Sequence, residues 1–217
     1  PWWWVGASLP DRGPQERLEA VRARGCRHLL LGPPGLPGCS WPTVIRHLRE
    51  GPLRALAVQS FPPPLQGGSA AAGPGFAAAA PERGERARAA LAAAGELAGL
   101  ARTPLVVLFP GSLGMGAGWE GDLTRVSRGL PELRARVDQV RARERDRALE
   151  QVCRHLHGAL KQTGLPCLCL RNGFDLAGLD RVEDLAAIGE DLGRERICYW
   201  LDPAAAAFRE QAGEGSL

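Results

Sequence analysis

Lysine is almost missing from this 217-residue sequence, since Lys161 is the only one among 27 basic residues. The many arginines therefore reflect a compositional bias, and an individual arginine carries little functional weight by itself. A large charge of one sign is also missing, because the formal net charge is only +3. So small an excess does not indicate a nucleic-acid surface, and we expect no nucleic-acid partner.

Long apolar runs are also missing, because no stretch approaches the roughly 18 to 20 apolar residues that span a bilayer. No signal peptide is visible, although the sequence opens on Pro1 rather than on methionine. We therefore expect a cytoplasmic protein without a membrane partner. Hydrophobic residues make up 45% and charged residues 24%, as in ordinary globular proteins, and the length suits one domain that covers 1–217.

The cysteines do not require a disulfide framework in a chain of this size. Three of them, Cys167, Cys169 and Cys198, lie inside apolar strand-like runs, which favours small buried thiols in a reducing compartment. A thiolate metal site or a redox pair is the less favoured alternative, because Cys-x-Cys on a strand has no second close pair beside it. The other cysteines are Cys26, Cys39 and Cys153.

Strand-like and helix-like segments alternate along the chain, and the later strands are nearly continuous apolar runs. This pattern predicts an α/β protein with a parallel sheet, built either as a doubly wound sheet or as a (β/α) barrel. A closed eightfold barrel takes about 250 residues, so six units would leave it incomplete. The predicted strands lie within 1–8, 28–33, 53–60, 103–111, 165–172 and 196–202, and the predicted helices within 14–25, 42–51, 81–102, 131–163, 182–193 and 202–213.

Three other segments differ in composition from their surroundings. The Pro, Gly and Ala residues of 61–80 indicate a mobile loop. The glycine-rich stretch 111–118 lacks the residue order of a nucleotide-binding loop, yet it follows a strand, where barrel proteins place substrate contacts. The stretch 132–150 interleaves arginines with acidic residues, which predicts a solvent-exposed helix face.

Four motifs, taken in order, resemble the xylose-isomerase-like barrel family, which includes sugar and sugar-phosphate isomerases and epimerases and enzymes of the endonuclease IV type. The motifs are PQERLEAVRARGCRHLLLGP, AGELAGLARTPLVVLFPG, LCLRN and ICYWLDPAAA. The resemblance implies a TIM-type (β/α) barrel, incomplete in this chain, with about six βα units. It also implies a divalent metal, Mg, Mn or Zn, held by glutamate, aspartate and histidine at the carboxyl ends of the strands.

The metal pattern of that family is broken in this sequence. Arg171 stands where the family shows glutamate, and Phe109 and Ala205 stand where it shows histidine. Only Asp202 and Asn172 keep their expected types. An arginine stays protonated and has no lone pair to offer a cation, so Asp202 is the one metal ligand left if any site survives. We therefore expect no cofactor, and we expect Asp202 to pair with Arg171.

Three functions follow from this pattern, and catalytic residues are not assigned in any of them. The leading one is a sugar or sugar-phosphate isomerase/epimerase-like protein with a degenerate metal site and weak or no metal-dependent catalysis. An active metal-dependent isomerase or epimerase, completed by strands outside this sequence, is the second. The third is a non-catalytic interaction or regulatory module, and a homo-oligomer is compatible with all three. The candidate contacts to a small polar ligand are Arg171, Asn172, Asp202, Gln59 and Ser112.

Overall fold

A computed structural model describes residues 3–5, 14–32, 40–60, 75–77, 81–113, 123–173 and 177–211. Within these ranges, six strands alternate with six α-helices. The strands are β1 (Trp3–Val5), β2 (His28–Leu31), β3 (Arg54–Ser60), β4 (Leu105–Leu108), β5 (Cys167–Arg171) and β6 (Ile197–Trp200). The helices are α1 (Pro14–Ala23), α2 (Trp41–Glu50), α3 (Pro81–Ala101), α4 (Leu123–Thr163), α5 (Val182–Leu192) and α6 (Pro203–Gln211).

The strands form one parallel sheet in which each strand pairs with the next along the chain, from β1 to β6. This sequential order is that of a (β/α) barrel, because a doubly wound sheet reverses its strand order at a switch point. In the part of the chain that the structure describes, β1 and β6 each pair on one side only, so the sheet is open between them. The predicted fold class, an incomplete TIM-type barrel, is confirmed.

The sheet is covered on both faces, which explains why its central strands are apolar almost throughout. Successive side chains of a strand point to opposite faces. On the inner face, Ala57, Val107 and Cys169 form a small buried cluster. On the outer face, apolar strand residues share one large cluster with residues of the helices. Its most deeply buried members include Leu29, Leu31, Val58, Leu108, Leu168, Leu170, Leu91, Leu156, Leu160 and Ile188.

A β-bulge at Leu56 determines which face of the sheet the residues of β3 point to. The pairing of β2 with β3 shifts there by one residue, so that Leu29 lies opposite Ala55 and Leu30 opposite Ala57. The hydroxyl of Thr103 donates to the carbonyl oxygen of Leu56 at 2.5 Å, which satisfies an acceptor that the bulge removes from regular pairing. As a result, Ala55 packs on the outer cluster and Ala57 on the inner one.

The predicted elements are confirmed, with differences at two places. The helix α4 begins at Leu123, eight residues before the predicted start. Residues 75–77, predicted to lie in a mobile loop, form a short 3-10 helix whose Phe76 is buried. The rest of that predicted loop, 61–74 and 78–80, and residues 114–118 of the glycine-rich stretch lie outside the described residues. Among the helices described, none is long and apolar enough to cross a membrane.

The prediction of a solvent-exposed face on 132–150 is wrong for Arg141, whose side chain is only 6% exposed. Its Nη2 lies 2.6 Å from Oδ2 of the fully buried Asp184 on α5, and its Nη1 donates to the carbonyl oxygen of Gly178 at 3.0 Å. The Nε of Arg145 lies 2.7 Å from the other oxygen of Asp184. Two guanidinium groups of α4 therefore hold one carboxylate of α5, which fixes the two helices against each other.

Candidate functional site

The candidate site lies where β5 and β6 end. Arg171 is the last residue of β5 and is the register partner of Trp200, the last residue of β6. Because side chains alternate along a strand, Arg171 shares the inner face with Cys169, and Trp200 shares it with Cys198. The predicted placement of Arg171 at the mouth of the barrel is therefore observed.

Arg171 and Asp202 form an ion pair across this mouth. The Nη2 of Arg171 lies 2.5 Å from Oδ2 of Asp202, and the side chains are 23% and 18% exposed. The other carboxylate oxygen, Oδ1, accepts the backbone N–H of Ala205 at 3.3 Å. Asp202 is thus the N-cap of α6, with Pro203 at the first helical position, where a missing N–H costs nothing. Both oxygens of this carboxylate are already engaged.

Asn172 ties the loop after β5 to the start of α6. Its Nδ2 donates to the carbonyl oxygen of Asp202 at 3.0 Å, and its Oδ1 accepts the backbone N–H of Asp202 at 2.6 Å. The side chain is buried. The amide therefore positions Asp202 opposite Arg171, and the hydrogen bonds to the Asp202 backbone already use both of its polar ends.

A second, buried ion pair supports the same loop, and sequence reasoning missed it. The Nη2 of Arg209 on α6 lies 2.5 Å from Oδ1 of Asp180, and the two side chains are 3% and 0% exposed. Around them, Gly173 donates its N–H to Oδ2 of Asp180, and its carbonyl oxygen accepts the Nε–H of Arg209. No spacing in the sequence connects an aspartate before α5 with an arginine 29 residues later. The contact is visible only in the folded chain.

Phe109 fills the space next to this loop. A Cβ at position 173 would lie 2.9 Å from Cε2 of the Phe109 ring, so a larger residue there would have to displace the ring. The resemblance would place a histidine at position 109. An apolar ring occupies that position instead, and it cannot supply a donor or a ligand to the mouth.

The two remaining candidates lie on other elements. Gln59 is buried on the inner face of β3, where its register partner is Val107. It is two strands away from Arg171, roughly 10 Å across the sheet at the usual strand spacing. Ser112 follows β4, is buried, and donates its hydroxyl to the carbonyl oxygen of Leu113 at 3.3 Å. The structure therefore brings Arg171, Asn172 and Asp202 together, and it places Gln59 on β3 and Ser112 after β4.

The residues that the structure describes at this mouth do not fit a divalent metal. Within the described ranges, no group of three or more His, Cys, Asp or Glu residues is placed to hold a metal ion. The carboxylate of Asp202 is bonded to Arg171 and to the N–H of Ala205. A guanidinium in contact with that carboxylate would also repel a cation. The arrangement is suited instead to hydrogen bonding, because part of the Arg171 side chain reaches solvent at the mouth.

No protein-family model matches the sequence, and no curated protein sequence matches it. Solved structures do match. A xylose isomerase domain protein from Planctomyces limnophilus aligns with 87% of this chain at 13% identity, with a TM-score of 0.54. AP endonuclease, family 2, from Brucella melitensis aligns with 100% at 13% identity (TM-score 0.62), and L-ribulose 3-epimerase with 90% at 15% identity (TM-score 0.58).

The chain spans only part of these proteins, namely 58% of the xylose isomerase domain protein, 72% of the AP endonuclease and 57% of the epimerase. At such low identity, the likeness concerns the fold alone. These structures are an isomerase-like protein, an epimerase and an AP endonuclease. The motifs of this sequence resemble the same kinds of protein. The chain has the fold of the xylose-isomerase-like barrels.

Proposed function

We propose that this protein binds a small polar molecule, a sugar or sugar phosphate, at the carboxyl ends of its strands. It is an isomerase/epimerase-like barrel with a degenerate metal site and weak or no metal-dependent catalysis. The shared fold with an L-ribulose 3-epimerase and a xylose isomerase domain protein supports the substrate class. The ion pair between Arg171 and Asp202 is the observation that supports the loss of the metal.

This ion pair can still offer a small polar ligand both kinds of hydrogen-bonding group, because a carboxylate oxygen that accepts one hydrogen bond has a second lone pair. A guanidinium has five N–H donors, and a carboxylate has several lone pairs, whereas each sugar hydroxyl both donates and accepts. A phosphate on the ligand would find its partner in Arg171, since guanidinium groups bind phosphate in a forked geometry. Asn172 and the buried pair of Asp180 with Arg209 hold the two elements that carry the site. A ligand would therefore meet groups that are already positioned.

Metal analysis combined with sugar binding tests the proposal. The purified protein is dialysed against Mg²⁺, Mn²⁺ or Zn²⁺, its metal content is measured, and a panel of ketoses and their phosphates is titrated by calorimetry with and without a chelator. We expect binding of a panel member that a chelator does not change and that Arg171→Met abolishes. Arg194→Met, which removes an exposed arginine of the 3-10 turn before β6, is the matched control.

The two alternatives give different results in the same experiment. One equivalent of bound metal together with epimerisation of a ketose would support an active metal-dependent enzyme and would contradict the proposal. Binding of neither metal nor sugar would favour a non-catalytic interaction module on a barrel scaffold. Because an AP endonuclease shares the fold, DNA with an abasic site belongs in the panel. Its cleavage would overturn both the sugar proposal and the expectation that nucleic acid is not a partner.

A further inference from the structure

Three thiols lie together on the inner face of the sheet, below the mouth. Cys169 on β5 and Cys198 on β6 are register partners. Cys167 precedes Cys169 by two residues and therefore points to the same face. The thiols of Cys167 and Cys169 lie close enough to the thiol of Cys198 to affect its pKa. All three are free in the structure.

The strand geometry favours a bond between one particular pair. Neighbouring strands lie about 4.8 Å apart, so the Cα atoms of the register partners Cys169 and Cys198 have about that separation. A disulfide requires a Cα separation of about 4.4 to 6.8 Å. Cys167 is offset from the register partner of Cys198 by two residues along β5. With a strand spacing of about 4.8 Å and a rise of about 3.3 Å per residue, its Cα lies about 8 Å from that of Cys198, which is beyond that range. Cys169 and Cys198 can therefore be joined with the least movement of the backbone.

The two partners differ in their access to solvent. Cys198 is half-buried and lies on β6, which pairs on one side only in the described part of the sheet. Cys169 is 3% exposed and lies between β4 and β6. A small oxidant therefore reaches Cys198 before it reaches Cys169.

We infer that Cys198 and Cys169 form a site of reversible oxidation by hydrogen peroxide. A peroxide molecule transfers one oxygen to the Cys198 sulfur, which gives a sulfenic acid and one water. The Cys169 sulfur then attacks the Cys198 sulfur, the S–S bond forms, the S–O bond breaks, and the hydroxide leaves as a second water with the Cys169 proton. In total, two thiols lose two electrons and two protons, and one peroxide is reduced to two waters. A small thiol reverses the bond by exchange.

The reaction is slow at neutral pH, because the thiolate is the reacting species. Burial raises the pKa of Cys198 to about 12, and burial also raises the pKa of Cys169. Among the described residues, the titratable groups that affect the pKa of Cys198 are the thiols of Cys167 and Cys169. The rate of oxidation should rise about tenfold per pH unit below these pKa values, as the thiolate fraction does. The site therefore stays reduced except under sustained exposure to the oxidant.

The bond would join the two strands that carry the candidate site. It lies two residues before Arg171 on β5 and two residues before Trp200 on β6, and these two are register partners. The oxidised protein should therefore show slower hydrogen exchange of the β6 amides than the reduced protein does. This inference does not depend on the identity of any ligand at the mouth.

Peptide mapping of the 217-residue chain tests the inference. The reduced protein is treated with hydrogen peroxide at mildly alkaline pH, free thiols are alkylated, and disulfide-linked peptides are identified by mass spectrometry. We expect a linked pair that contains Cys169 and Cys198, absent in Cys198→Ser and retained in Cys167→Ser, with the pair lost after dithiothreitol. Cys153→Ser, on the helical layer, is the matched control and should leave the pair unchanged.

Three results would overturn the inference. They are a bond that uses Cys167, accumulation of sulfinic acid at Cys198 without any bond, and complete retention of free thiols. The mapping of the wild-type chain decides between these outcomes by itself, so the inference remains testable even if a serine variant fails to fold. The same treatment in urea serves as a reference, because an unfolded chain should not select one pair among its cysteines.

Discussion

The guanidinium Nη2 of Arg171 lies 2.5 Å from Oδ2 of Asp202, across the ends of β5 and β6. The Oδ1 of the same carboxylate accepts the N–H of Ala205 and begins α6. One side chain therefore pairs with a cation and caps a helix. Asp202 therefore has a structural role that does not involve a metal.

The two roles of Asp202 can be separated by substitution. Asp202→Asn keeps an oxygen for the N–H of Ala205 but loses the ion pair, and it should lower the free energy of unfolding by about 1 kcal/mol. Asp202→Ala loses the cap as well and should cost about 2 to 3 kcal/mol. Urea denaturation measures both values. Equal costs for the two variants would show that the cap contributes nothing.

The buried pair of Asp180 and Arg209 should contribute far more than an exposed pair does. Arg209→Met leaves the Asp180 carboxylate buried without its cation, and we expect a loss of about 3 to 5 kcal/mol in the free energy of unfolding. Arg194→Met breaks an exposed pair with Glu190 and is the matched control, with an expected change within about 0.5 kcal/mol. Similar values for the two variants would contradict the assignment of Arg209 as the support of the β5 loop.

The two arginines that hold Asp184 should differ in their contribution. Arg141 is nearly inaccessible and also bonds to the carbonyl oxygen of Gly178, whereas the side chain of Arg145 is 28% exposed. Arg141→Met should cost about 2 to 4 kcal/mol and Arg145→Met about 1 kcal/mol, measured by urea denaturation. If Arg145→Met were the more damaging change, burial would not be the quantity that decides the strength of this contact.

His155 should make the protein less stable in mild acid. Burial, together with the nearby Arg88 and Arg154, lowers the pKa of His155 below its ordinary value of 6.5. The folded state then binds fewer protons than the unfolded state, so stability is kept above about pH 6.5 and is lost as the pH falls below it. His155→Gln should reduce this dependence. Urea midpoints at about pH 7.5 and pH 5.5 measure the effect, and an identical pH dependence in the variant would exclude His155 as its source.

The sequence predicted those features that depend on local pattern. The apolar runs of β4, β5 and β6 identified the strands, because a strand covered on both faces must be apolar throughout. The contact of Arg171 with Asp202 was expected from the family resemblance, which places both residues at the carboxyl ends of strands, and it is observed. The degenerate metal site and the ligand contacts of Arg171, Asn172, Asp202, Gln59 and Ser112 remain predictions.

Other features depend on how distant segments pack, and no local pattern reveals them. Arg141 lies in a stretch of alternating charges that is indistinguishable from an exposed face until α5 brings Asp184 against it. Asp180 and Arg209 meet only because α6 returns to the loop after β5. The bulge at Leu56 shifts one register without changing the apolar character of β3.

The central claim is that a guanidinium occupies the place of a metal ligand. It is tested by comparing metal binding by the wild-type chain with metal binding by the Asp202→Asn and Arg171→Glu variants. Calorimetric titration with Mn²⁺ and Zn²⁺ should give no saturable binding that depends on Asp202 in the wild type. Arg171→Glu places a second carboxylate at the mouth beside Asp202 and should bind these ions more tightly than the wild type does. One equivalent of ion bound by the wild type and lost in Asp202→Asn would contradict the claim.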